Sequence, residues 1–114
     1  MLLVDDCRDT RELYAEYLEL SGYGVKEAGD GMTAVAEATR VLPDVVVLDM
    51  SMPGMGGDEV VRRLRADERT RAIPVVMVSG YEPERIGRAG FDAFLPKPCD
   101  PERLISVIKD LTAR

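Results

Sequence analysis

Five polar side chains fall where short apolar runs stop. Asp5 and Asp6 follow "LLV", Asp49 follows "DVVVL", Ser79 follows "PVVMV", and Lys97 stands two residues beyond "DAFL". In "VVVLDMSMPGMGG" (45–57) an aliphatic run ends on a carboxylate and breaks at once into Met, Pro and Gly. A strand that ends this way anchors Asp49 and clears space beside it. Should the strands lie parallel, three carboxylates, a hydroxyl and an ammonium meet at one edge. Carboxylates so placed repel one another by on the order of several kcal/mol at an effective dielectric of about 20. A hard divalent cation offsets this most simply. Mg²⁺, or Mn²⁺ in its place, takes oxygen ligands, keeps several waters and typically uses one or two carboxylates plus a phosphate oxygen. In such a site Asp6 and Asp49 bind the metal directly and Asp5 acts mainly through a bound water. The backbone carbonyl of Ser51 adds a ligand where the chain turns. Asp49 is then placed as a nucleophile toward phosphorus, giving an aspartyl-phosphate. Lys97 and Ser79 would hold the phosphoryl oxygens, because such transfer depends mainly on positioning and charge neutralisation.

The elements that must position these residues alternate along the chain. "LLVD" (2–5), "GVKEA" (24–28), "DVVVLD" (44–49), "PVVMVS" (74–79) and "DAFL" (92–95) read as five strands. The third and fourth are continuously apolar, as strands covered on both faces should be. The weaker alternation of "GVKEA" suits an outer strand. Between them lie helical spacings: Leu13, Tyr17 and Leu20, with Tyr14 and Leu18, on the first helix; Val35 and Ala38 on the second; Val60, Val61 and Leu64 on the third. In "CDPERLISVIKDL" Asp100 is an N-cap, Pro101 opens the helix, and Leu104, Val107, Ile108 and Leu111 face the core. Gly22 and Pro43 mark helix stops. Strict β-α alternation implies a parallel sheet with helices on both faces, and right-handed crossovers put every strand's C-terminal end on one edge.

Composition removes the competing chemistries. A chain of 114 residues with 46% apolar and 32% charged residues suits one globular domain spanning residues 1–114. Its net charge of −6 offers no basic stripe, so direct nucleic-acid binding is not expected. No apolar run approaches a membrane span and no secretory leader precedes the first strand, which predicts a cytoplasmic protein without membrane insertion. The absence of histidine excludes a His-based triad and most zinc chemistry, and two cysteines, Cys7 and Cys99, make neither a disulfide framework nor a zinc site. Met50, Met52 and Met55 read as packing and turn residues, and Arg62, Arg63 and Arg65 as a solvated helix face.

The sequence resembles the receiver domains of two-component response regulators. "LLVDD", "VVVLDMSMPGMGG", "PVVMVSG" and "FLPKP" come in that family's order and spacing over essentially the whole chain. The resemblance implies a doubly wound, five-stranded parallel sheet of order 2-1-3-4-5. It also implies that Asp49 is the phosphoacceptor, served by a phosphohistidine on a histidine kinase or histidine phosphotransfer protein. Asp5 and Asp6 match the acidic pair, Ser79 the switch hydroxyl, Lys97 the phosphate-binding lysine and Phe94 the switch aromatic, though Phe94 reads equally well as plain core. Ser51 and Tyr81 would tune the lifetime of the phosphate. The product is a self-phosphorylating, self-dephosphorylating switch acting on an output partner or a linked effector domain, rather than a turnover enzyme.

From Ser79 to Lys97 the chain advances 18 residues, about one helical turn less than the family usually has. "YEPERIGRAGF" (81–91) carries Pro83, Gly87 and Gly90, so the fourth helix is expected to be short or irregular. Only four residues precede Asp5, so the first strand is expected to be clipped, as in an excised domain or after a misassigned start. Three alternatives compete. A Mg²⁺-dependent aspartyl-phosphate phosphatase would want a second acid two residues past Asp49, where Ser51 stands. A flavodoxin-like cofactor binder would want a Ser/Thr/Gly-rich phosphate loop after the first strand, where "DDCRDTRE" is acidic. A phosphate-independent adapter would not need the full set of site residues.

Overall fold

The structure is a computed structural model that describes residues 1–80 and 90–113. The described elements, in chain order, are β1 (Leu2–Val4), α1 (Arg8–Leu20), β2 (Lys26–Ala28), α2 (Gly31–Val41), β3 (Val46–Asp49), α3 (Gly57–Ala66), β4 (Val75–Ser79), β5 (Ala93–Pro96) and α4 (Pro101–Thr112). The strands form one parallel sheet in the order β2-β1-β3-β4-β5. Residues 81–89, which hold Tyr81 and most of the stretch where a short fourth helix is expected, lie outside the described residues.

Strand side chains alternate between two apolar layers. Leu2, Val4, Val46, Leu48, Val75 and Met77 pack with Ala34 and Ala38 of α2 and Val60, Val61 and Leu64 of α3. Leu3, Val45, Val47, Val76, Val78 and Leu95 pack on the other face with Ala15 and Leu18 of α1 and Leu104, Ile108 and Leu111 of α4. β3 and β4 are buried at every position, as their unbroken aliphatic runs imply. β2 is an outer strand in which only Ala28 is buried.

The helix ends follow their local chemistry. Asp100 caps α4, its carboxylate accepting the Glu102 N–H at 3.0 Å, with Pro101 in the first turn. α1 ends before Gly22 at φ 98°, and α2 ends at Leu42, which adopts a left-handed φ of 47° ahead of Pro43. The first helix turns differently from its expected face. Leu13 and Leu20 are exposed at 68% and 82%, and the inward stripe is Tyr14, Ala15 and Leu18. The small Ala15 lets α1 lie close against the sheet, which sends Leu13 and Leu20 to the outer side. No helix of the described residues is long and apolar enough to cross a membrane.

Candidate functional site at the C-terminal edge of the sheet

The backbone delivers the acids in two ways. Beyond β1, Asp5 still belongs to the sheet: its N–H donates to the Ala28 carbonyl at 3.2 Å, and it is only 7% exposed. The chain then turns into α1. The Asp5 carboxylate accepts the Cys7 N–H at 2.9 Å, while Arg11 Nη1 donates to the Asp5 carbonyl at 2.8 Å. Asp6, at the turn, is exposed. Asp49 is the last residue of β3 and is buried; its Oδ1 accepts the Ser51 N–H at 3.2 Å.

The Pro/Gly turn after β3 has a steric cause. Gly54 sits at φ 77°, a region glycine enters without penalty. Gly57 opens α3 directly against β3, where a Cβ would lie 2.7 Å from the Asp49 carbonyl oxygen. A side chain there would force α3 off the strand end that carries the phosphoacceptor candidate.

One oxygen from each of Asp5, Asp6 and Asp49 can be chosen so that all lie within 4.8 Å of one another. Lys97 faces them, its Nζ 3.1 Å from Asp49 Oδ1 and 3.6 Å from Asp5 Oδ2. Burial pushes the Asp49 carboxyl above the ordinary carboxylate range, reinforced by the Asp5 charge and opposed by Lys97 and the Ser51 N–H. Burial alone would lower the Lys97 ammonium, but the hydrogen bond and charge of Asp49, with Asp5 behind, leave it above the ordinary lysine value. Three acids against one lysine leave a surplus of negative charge ringed by carboxylate oxygens and open to water at Asp6. That donor set fits a hard, partly hydrated cation such as Mg²⁺.

Ser79 ends β4, fully buried, and its carbonyl accepts the Lys97 N–H at 2.9 Å, so the hydroxyl and the ammonium come from paired chain segments. Ser51 is exposed beside Asp49. Phe94, opposite Met77 in the β4–β5 register, is half-buried in the layer of α2 and α3, its ring centroid 6.2 Å from that of Phe91. Cys7 is exposed at the start of α1 and Cys99 is buried; both are free. Of the residues singled out from the sequence, the structure thus brings Asp5, Asp6, Asp49 and Lys97 into mutual reach, with Ser51 and Ser79 adjoining; Phe94 lies in the core layer beneath.

Two participants carry no sequence signature of their own. Arg11 and Tyr14 act on backbone carbonyls, of Asp5 and Cys99, and a carbonyl cannot be read from residue type. Arg65 also departs from the solvated face expected of it. Its guanidinium donates to the carbonyls of Gly90, Arg71 and Ile73 and pairs with Asp92 at 2.9 Å.

The family description "Response regulator receiver domain" matches residues 1–109. The chain is similar to the response regulator PleD of Caulobacter vibrioides, 40% identical over 98% of this chain and 26% of that protein. It is also similar to the DNA-binding dual master transcriptional regulator RpaA of Synechocystis, 36% identical over 100% of this chain and 49% of that protein. The chain therefore spans half or less of the length of these relatives. In structure it resembles the receiver domain of the sensor histidine kinase PA1611 from Pseudomonas aeruginosa, solved with a magnesium ion coordinated in its active-site cleft. There the TM-score is 0.92 at 26% identity, covering 99% of this chain and 96% of that one.

Proposed function

The chain belongs to the response regulator receiver domain family, and from that membership we propose that it is a phosphorylation-controlled switch whose acceptor is Asp49. The observation that carries this reading is the buried Asp49 carboxylate, held by Lys97 at 3.1 Å within a cluster of two further acids. The donor is a phosphohistidine on a histidine kinase or histidine phosphotransfer protein. A carboxylate oxygen of Asp49 forms the new O–P bond as the P–N bond breaks, and the electron pair of that bond returns to the imidazole of the donor. Asp6, Asp49 and the Ser51 carbonyl would hold Mg²⁺ directly and Asp5 through water. Bound there, the ion supplies neutralising charge for the carboxylates and the incoming phosphoryl oxygens.

The chain's own residues do the rest. The Ser51 N–H and Lys97 both meet Asp49 Oδ1, so the nucleophile is oriented before the donor arrives. After transfer the Lys97 ammonium exchanges its carboxylate contact for a phosphoryl oxygen, and the Ser79 hydroxyl binds another. Drawing Ser79 toward the phosphate opens room for Phe94, which biases a two-state surface rather than building a new one. A few charge-assisted hydrogen bonds supply the few kcal/mol that such a bias needs. The product is a signalling state and not a released molecule, so the chain acts as a switch rather than a turnover enzyme. A partner protein or a linked effector domain reads that state, and the net charge of −6 disfavours direct contact with DNA by this chain.

Intact-mass spectrometry with acetyl phosphate tests this. One phosphate added only when Mg²⁺ is present, and absent in Asp49→Asn, is the expected result. A folded, Mg²⁺-binding protein that takes up no phosphate would instead make the domain a phosphate-independent adapter.

A further inference from the structure

The loop that delivers Lys97 to the acids spans open space. A cavity of about 460 Å³ opens beside Asp49 and Lys97, lined by the buried Leu3, Val47 and Leu104 and by the exposed Leu13 and Pro98. The buried Cys99 side chain anchors this segment in the layer under α1 and α4, and on the side that borders the cavity hydrogen bonds tie its backbone. At one end the Lys97 N–H donates to the Ser79 carbonyl at 2.9 Å, and at the other Asp100 caps α4. Between them the Tyr14 hydroxyl reaches from α1 and donates to the carbonyl of Cys99 at 2.5 Å. Arg11, three residues earlier on the same helix, holds the Asp5 carbonyl at 2.8 Å. Neighbouring side chains of α1 therefore hold the two backbone segments that carry the opposite charges of the site.

We infer that Tyr14 is a positioning residue for phosphoryl transfer, acting through the Cys99 carbonyl to set where the Lys97 ammonium stands relative to Asp49. This rests on the phosphoacceptor reading above. The half-buried ring would pack as well if it were phenylalanine; the hydroxyl is the part that reaches the loop. Because Lys97 serves the phosphoryl group and the carboxylates serve the metal, loss of the hydroxyl should impair the former and spare the latter.

The test compares wild type, Tyr14→Phe, Lys97→Ala and the double variant. The readouts are the rate of phosphorylation by acetyl phosphate at saturating Mg²⁺, the equilibrium affinity for beryllofluoride as a phosphoryl mimic, and the Kd for Mg²⁺ alone. Tyr14→Phe is expected to lower the rate and the beryllofluoride affinity by about threefold to tenfold, the worth of one lost hydrogen bond, while the Mg²⁺ Kd stays within about twofold. In the Lys97→Ala background the same substitution should have no effect on beryllofluoride affinity, since two residues that act as one unit are not additive. An equal loss in both backgrounds, or a Tyr14→Phe protein that matches wild type, overturns the inference and leaves the phosphoacceptor reading standing. A wild type that takes neither phosphate nor beryllofluoride overturns both.

Discussion

At the scale of single residues, the site is held under electrostatic load. Asp49 is almost wholly buried, stands beside Asp5, and has its carboxyl raised above the ordinary range by burial first and the Asp5 charge second. An acid whose folded pKa is raised favours the folded state while protonated. That favourable contribution is complete below the ordinary carboxylate range and is lost as pH rises through the elevated folded value. Asp49→Asn removes the charge and leaves Lys97 paired with Asp5. Without Mg²⁺, the substitution is therefore expected to stabilise the protein at pH 7 by about 1 kcal/mol. Urea unfolding across a pH series checks it: the advantage of the variant should grow with rising pH and vanish in acid. A constant difference would mean that shape, not charge, separates the two proteins. The placement of this residue, buried at a strand's end, could be read from the aliphatic run that it closes. The hydroxyl of Tyr14 could not, because its partner is a main-chain atom 85 residues away.

At the scale of elements, α3 is locked at both ends. Its first residue, Gly57, rests on the carbonyl of Asp49, and near its last turn Arg65 ties the helix to the α3–β4 connection and to the entry of β5. Asp92 completes that clamp, since the oxygen that pairs with Arg65 also accepts the Val75 N–H at 2.8 Å. Arg65→Ala unties several charge-assisted bonds at once and is expected to cost about 2 kcal/mol of stability. In a double-mutant cycle with Asp92→Ala the two losses should be markedly less than additive. Simple additivity would show that the Arg65–Asp92 pair contributes nothing and that the arginine acts through its carbonyl contacts alone.

β3 and β4 were readable because Val45 to Leu48 and Val75 to Val78 are short, mostly β-branched and apolar throughout, which favours a strand covered on both faces. α1 was harder, because Leu13, Tyr14, Tyr17, Leu18 and Leu20 surround it with apolar side chains. The choice between possible faces falls to Ala15, whose smallness matters only once the sheet is beside it. Arg65 misled for the converse reason, since an arginine amid arginines looks solvated until a carbonyl cluster is folded against it.

At the scale of the whole molecule, ligand binding and stability are linked. An ion that binds the folded carboxylate cluster, and not the unfolded chain, raises stability by about 2.7 kcal/mol at 100 times its Kd. Mg²⁺ is thus expected to raise the unfolding midpoint in proportion to the logarithm of its concentration. EDTA should reverse the rise, and Asp6→Asn should blunt it. A midpoint indifferent to Mg²⁺ in the wild type would argue against the carboxylates as a metal site.

The sheet also acts as a partition. The apolar residues on its two sides form separate populations, one gathered under α2 and α3 and the other under α1 and α4. Phe94 belongs to the first and Cys99, at the end of the lysine loop, to the second. The polar edge is where the two compartments meet. Among the described residues, a side chain of one compartment packs chiefly within its own, so a substitution there acts first on that side of the sheet. Each compartment can thus be repacked from its own side while the row of acids at the shared edge keeps its place.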